Sequence, residues 1–173
     1  MNHPRSEHIT TEVLRLRPPR HRVSPRAISW WTAQAALEVA AVVIPLGIAA
    51  IVWADVQPWL VPATGVIAVI GLAYVLVMPR WRFRVHRWET TDHAVYTAEG
   101  WILQEWRVAP MSRIQTVDTE RGPLQQLFGL ATVTVTTASA AGALRLAGLD
   151  RAVAEALVAQ LTKTTQATPG DAT

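Results

Sequence analysis

Residues 56–78 (VQPWLVPATGVIAVIGLAYVLVM) contain no charged side chain, and this run constrains the chain more than any other feature. At about 1.5 Å of helical rise per residue, roughly 20 apolar residues cross a hydrocarbon core about 30 Å thick, so the run is long enough to span a bilayer. A second apolar stretch, residues 27–54, is interrupted only by Glu38 and carries Pro45 and Gly47 near its middle. The two stretches are separated by a few residues around Asp55, which makes them antiparallel neighbours in a membrane hairpin. Trp30, Trp31, Trp53, Trp59 and Trp81 fall at the expected span ends, where an amphipathic indole is favoured at the headgroup level.

The flanks orient the hairpin. Residues 1–26 hold six Arg against two acids, and Arg80, Arg82, Arg84 and Arg87 follow the second stretch, while the connecting loop holds only Asp55. By the positive-inside rule both termini are expected to be cytoplasmic, in a multi-pass membrane protein. A signal peptide is the weaker reading of the first stretch: the basic leader is 26 residues long, the apolar region is overlong, and no small-residue cleavage site precedes a mature domain. A soluble fold around a buried helical hairpin is disfavoured because the remaining residues are too few to wrap two such helices.

Beyond Arg80 the period changes. Trp81, Phe83 and Val85 alternate with Arg82, Arg84 and His86, which reads as a half-buried strand ending near Thr91 and Asp92. Two further strands flank a turn at Glu99-Gly100, and a fourth, less tidy, covers residues 114–120. Gly122-Pro123 ends it, and residues 124–128 form a short helical turn stopped by Gly129. Residues 131–137 (ATVTVTT) are the cleanest strand, with Val133 and Val135 facing inward and Thr132, Thr134 and Thr136 outward. A turn at residues 139–142 leads to a returning strand at 143–146. Asp150 is then placed to cap a helix reaching about Thr162, with Val153, Ala156, Leu157, Gln160 and Leu161 on one face. Residues 164–173 are polar and aperiodic, and are expected to be disordered.

The run Pro110-Met111-Ser112-Arg113-Ile114-Gln115-Thr116-Val117-Asp118, followed by Gly122-Pro123-Leu124-Gln125-Gln126-Leu127-Phe128-Gly129-Leu130-Ala131-Thr132-Val133, resembles the signature of bacterial membrane-flanked PH-like domains of the YdbS type. The resemblance covers residues 81–161 and extends to the hairpin, because such proteins place two transmembrane helices just before the domain. It implies an α+β protein: an N-terminal transmembrane hairpin, then a PH-like bent antiparallel sheet or barrel capped by a C-terminal helix. It implies that the membrane is a bacterial inner membrane, and it implies no catalytic activity. The expected organisation is a basic segment at 1–26, a hairpin at 27–79, the domain at 80–163 and a tail at 164–173.

The chemistry available is sparse. The chain has no Cys, and its His residues have no ligand spacing, so no metal and no cofactor are expected. No phosphate loop or nucleophile motif occurs. Asp118 and Glu120 lie two apart on one strand face, where a solvated surface meeting Arg113 or Arg121 is a better reading than acid–base work. Leu124, Leu127, Phe128 and Leu130 read as closing a small core. Ala33, Ala36, Ala40 and Gly47 form a small-residue face for helix packing. Arg82, Arg84, Arg113 and Arg121 are the expected contacts to a partner or to lipid headgroups, and Glu38 is the one intramembrane polar site. A pI near 10.2 does not imply nucleic-acid binding, because the basic residues cluster beside the spans and not along an aromatic groove. The expected partners are the lipid bilayer and another membrane protein, including a larger relative with several PH-like domains; self-association is also open. The expected function is non-catalytic assembly at the inner leaflet, with lipid binding or a transport-accessory role as the alternative.

Overall fold

The computed structural model describes residues 19–53, 55–138 and 142–167. Two long helices, α1 (Arg26–Val52) and α2 (Gln57–Val85), pack against each other as a hairpin. Pro58 sits in the first turn of α2, where its missing N–H has no helical partner to lose. Large apolar side chains, among them Ile44, Ile51, Val61 and Val69, are exposed along both helices. None of the most apolar window of α2 is buried, at 0%, which is the reverse of a core helix in a soluble domain. The close approach between the helices is at Gly71, where an added Cβ would lie 2.6 Å from a Val39 methyl. The expected small-residue face is therefore displaced: Ala27, Ala35 and Ala50 are the buried alanines of α1, and Gly47 has open space beside it.

The strands make two antiparallel sheets. One has the order β1-β2-β3-β4, from β1 (His21–Arg22), β2 (Arg87–Thr90), β3 (Ala94–Gly100) and β4 (Gln104–Pro110). The other runs β5-β6-β7, from β5 (Ile114–Glu120), β6 (Leu130–Thr137) and β7 (Leu144–Asp150). The short α3 (Pro123–Leu127) links β5 to β6, and α4 (Arg151–Ala167) lies across the second sheet. This is the PH-like α+β arrangement expected from the motif, with a core of Val95, Leu130, Val133, Val135, Leu146 and Leu149 closed by Leu157 and Leu161 of α4.

Several local expectations are corrected. Residues 81–85 are helical, because α2 continues past Pro79 to Val85 and the first strand of the meander is only β2. The alternation of Trp81, Phe83 and Val85 was too short to distinguish strand from helix end. In β5 a bulge between Ile114 and Thr116 places both Ile114 and Val117 against the core, which accounts for the untidy period. Thr132 is buried, not outward, and β7 runs on to Asp150. The buried face of α4 is Ala154, Leu157, Val158 and Leu161; Val153, Ala156 and Gln160 instead border a groove beside Trp88. The helix continues to Ala167, so residues 164–167 are not part of a disordered tail. Residues 1–18, 139–141 and 168–173 lie outside the described residues, and with them most of the expected N-terminal segment, turn and tail.

The larger correction concerns where the helical hairpin ends. At 27 and 29 residues, α1 and α2 are roughly 40 and 43 Å long, about 10 Å more than a hydrocarbon core. The excess is spent at the domain end. Val23, Ala27 and Trp31 belong to the same buried cluster as the strands, and Trp31 is fully buried instead of lying at a headgroup surface. Residues 21–22 add an edge strand to the first sheet. Gly148 makes this docking possible. It is the extra residue of a bulge opposite Ala131 and Thr132, with φ +81°, and its carbonyl accepts the Ser24 N–H at 2.9 Å. A Cβ there would lie 2.9 Å from Ala27. Ser24 Oγ donates to Asp150 Oδ1 at 3.0 Å and completes the join.

Gly142 provides a comparison, since it has φ +80° but nothing within 4 Å of an added Cβ. Gly148→Ala is expected to destabilise by about 1–3 kcal/mol from backbone strain, plus the overlap with Ala27, while Gly142→Ala shows the strain alone. Thermal unfolding in detergent followed by circular dichroism measures both; equal losses would show that the Ala27 contact contributes nothing.

Candidate functional site

The site is built at the seam between hairpin and domain. Trp31 of α1 has the Arg82 guanidinium of α2 over its ring, 4.7 Å from the centroid, and the His86 imidazole edge-on at 5.0 Å. His86 ends α2: its Nδ1–H donates to the Arg82 carbonyl at 2.9 Å, and its Nε2 accepts from Arg82 Nε at 3.3 Å. An imidazole that donates through one nitrogen and accepts through the other is neutral. Burial, and then the adjacent Arg82 charge, push its pKa down to about 4, against a smaller opposing effect from the carbonyl hydrogen bond.

Beside this stack a cavity of about 610 Å³ opens between the helices and the domain. Its charged wall consists of Arg82, Arg145, Glu99 and Glu120. Glu120 and Arg145 approach to 3.5 Å at the exposed rim. Glu99 lies deeper: burial pushes its carboxyl up, the Arg107 guanidinium pulls it down, and Glu105, its cross-strand partner, pushes it up again. The floor is held by Gln125. Its Oε1 accepts the Gly122 N–H at 3.0 Å and its Nε2 donates to Thr132 Oγ1 at 2.7 Å, which explains the buried threonine. The cavity thus offers two cations and two carboxylates, a set that suits a zwitterionic group better than a simple anion.

On α1, Trp30 and Gln34 line this cavity, and one turn further Glu38 lines a second, apolar groove of about 410 Å³ with Val39, Val42, Ile67, Ile70 and Tyr74. Trp30, Gln34, Glu38 and Val42 recur every four residues, so the polar cavity and the apolar groove share one face of the hairpin. Glu38 accepts a hydrogen bond from Gln34 Nε2 at 3.1 Å, and Tyr74 lines the same groove.

The residues singled out in sequence are therefore only partly brought together. Arg82 and Glu38 lie along the same hairpin face. Arg121 is next to the cavity wall but donates through Nε to the Leu130 carbonyl at 3.2 Å. Arg84 and Arg113 are exposed and line neither cavity. Asp118 accepts from Thr116, and Glu120 pairs with Arg145, not with Arg113 or Arg121. Leu127 is 77% exposed, so only Leu130, with Phe128 packed against it, closes the core as expected. Glu99, Gln125 and Arg145 were missed because they come from three separate strands or turns; the i, i+4 spacing of Gln34 and Glu38 was the available signal. Among the described residues no group of three or more His, Asp or Glu could hold a metal ion.

The His86 environment has a pH consequence. Its pKa in the folded protein is lower than in the unfolded chain, so folding is unaffected above about pH 6.5 and weakens as pH falls from there towards 4, by on the order of 3 kcal/mol in total. The difference in unfolding temperature between the protein and its His86→Gln variant is expected to narrow over that window and to be constant above it; parallel curves throughout would contradict a buried neutral imidazole.

Comparison with known proteins follows the same outline. A family model described as a bacterial PH domain matches residues 34–165, from within α1 to the last turn of α4. The chain is 30% identical over 125 residues to UPF0699 transmembrane protein YdbS of Bacillus subtilis (strain 168), a match covering 70% of this chain and 78% of that protein. No solved structure matches. The match runs through the exposed apolar helices as well as the strands, and the relative is a transmembrane protein, so this is a membrane protein belonging to the bacterial PH domain family.

Proposed function

We propose that both helices cross the inner membrane, with the N-terminal segment and the PH-like domain in the cytoplasm, and that the protein is a non-catalytic module that engages another membrane protein at the inner leaflet. The observation that carries this reading is Trp31 buried in a core shared by hairpin and domain. A domain mounted this way has no free linker, so its remaining surface is held at one height and one tilt above the bilayer. The charge pattern supports the orientation: Arg20, Arg22, Arg26, Arg80, Arg84 and Arg87 lie at the domain end of the hairpin, against Asp55 at the tip. Neither the family description nor the relative's name carries an enzymatic activity. The surface offered is the outer side of β4, an edge strand on which Trp106 and Val108 are both exposed. A larger protein carrying several PH-like domains suits such an edge, because one sheet can extend another.

A second reading, lipid handling, is favoured by one observation: the two-signed cavity stands directly over the apolar groove on the same helix face. A zwitterionic headgroup and its chain have that layout.

Purification of the full-length protein from native membranes in mild detergent, with mass spectrometry of proteins and lipids, separates the two. One reproducible membrane-protein partner, lost on Trp106→Asp, is the expected outcome. Recovery of a single enriched lipid at stoichiometric level, lost on Glu38→Ala or Arg145→Ala, with no protein partner, would replace the module reading with lipid handling.

A further inference from the structure

The turn between β3 and β4 has the features of a membrane-inserting tip. Gly100 pairs with Gln104 across the end of the two strands, so the loop is only Trp101-Ile102-Leu103. Gly100 has φ +110°, and an added Cβ would overlap the Leu103 backbone, so glycine is required for so tight a reversal. Ile102 is 79% exposed and Leu103 74%, while no charge occurs between Glu99 and Glu105. Such a tip standing in water would be an unexplained apolar projection.

Its position explains it. The Trp101 ring packs edge-on against the Tyr74 ring of α2, with centroids 5.9 Å apart. Tyr74 is not at the charged end of α2. It lies six residues before Arg80, about 9 Å along the axis, among the exposed Leu72, Leu76 and Val77 of the apolar band. The tip therefore reaches the level at which α2 presents apolar side chains outward. The polarity of the hairpin follows the same gradient: Ile102 and Leu103 lie at the tip, and at the base Glu105 is paired with Arg107 at 2.9 Å, with Glu99 facing Arg82 across the cavity.

We propose that the β3–β4 tip inserts Ile102 and Leu103 into the acyl region of the cytoplasmic leaflet beside α2, as a third membrane contact of the protein. The occupant of this surface is lipid because the tip rests, through Trp101 on Tyr74, at the level where α2 exposes Leu72, Leu76 and Val77. The inference rests on the reading that α2 spans the bilayer. With the buried seam at Trp31 on one side and the tip on the other, the domain is pinned at two points and cannot swing about the hairpin.

The absence of native Cys allows single labels without background. The full-length protein carrying Ile102→Cys or Leu103→Cys, each with an environment-sensitive fluorophore, is reconstituted in phosphatidylethanolamine–phosphatidylglycerol vesicles, with Val69→Cys and Thr119→Cys as reference positions. Quenching by acyl-chain-brominated lipid is compared with quenching by aqueous iodide. The expected result is that labels at 102 and 103 behave like the label at 69, with severalfold stronger quenching by brominated lipid, while the label at 119 shows the reverse. Iodide quenching at 102 and 103 with lipid quenching retained at 69 overturns the insertion and leaves the span intact. Shielding of 102 and 103 from both quenchers overturns it in favour of a protein partner or second copy. Iodide quenching at 69 overturns the span, and the insertion with it.

Discussion

The rest of the structure depends on the burial of one indole. Trp31 is a residue of α1, yet it is covered on all sides: by Ala27 and the Gly148 bulge below, by the Arg82 guanidinium over its face and by His86 at its edge. Removing so large a side chain from water is among the strongest favourable terms a single residue can supply. Because its neighbours come from both helices and from β7, that term stabilises the hairpin and the domain together. Each would otherwise be a separate folding problem: an apolar two-helix hairpin with a close approach at Gly71, and a small domain whose second sheet has three strands among the described residues.

The same burial sets the electrostatics. Arg82 is drawn away from the leaflet surface, where a basic residue beside a span would be expected, and onto an aromatic face where the cation–π attraction is strengthened by partial desolvation. His86 is kept neutral first by its burial and then by the positive charge of the adjacent Arg82. Glu99 and Glu120 line the cavity together with Arg82 and Arg145, and this gives the cavity both signs of charge. A site with paired charges of opposite sign discriminates by geometry more than by net potential.

Much of this could be read directly from the residues. The uncharged run at 56–78, the basic flanks and the motif around Pro110 to Val133 were enough for the class, the hairpin and the family. The alternation in residues 131–137 located β6 almost to the residue, and Gly122-Pro123 located the turn into α3. The site was less legible. Arg82 and Glu38 stood out because charges next to or inside apolar runs are rare, whereas Glu99, Gln125 and Arg145 look like ordinary surface residues of three unrelated elements, β3, α3 and β7. Arg113 drew attention as part of the motif, but it is exposed, and its backbone carbonyl, which accepts the Ala138 N–H at 3.0 Å, is the part that ties the sheet.

By itself the sequence determined what periodicity and polarity dictate locally: two stretches too apolar and too long for a soluble surface, strands of period two, and turns where Gly and Pro leave no alternative. Only the tertiary structure decided where the hairpin stops and the domain begins. That boundary depends on α2 remaining helical through Trp81 to Val85, on the first turns of α1 entering the strand core, and on a bulge at Gly148 that lets the backbones meet. None of these has a local signal, because a tryptophan at the end of an apolar run looks the same whether it faces headgroups or a sheet brought to it from more than a hundred residues away.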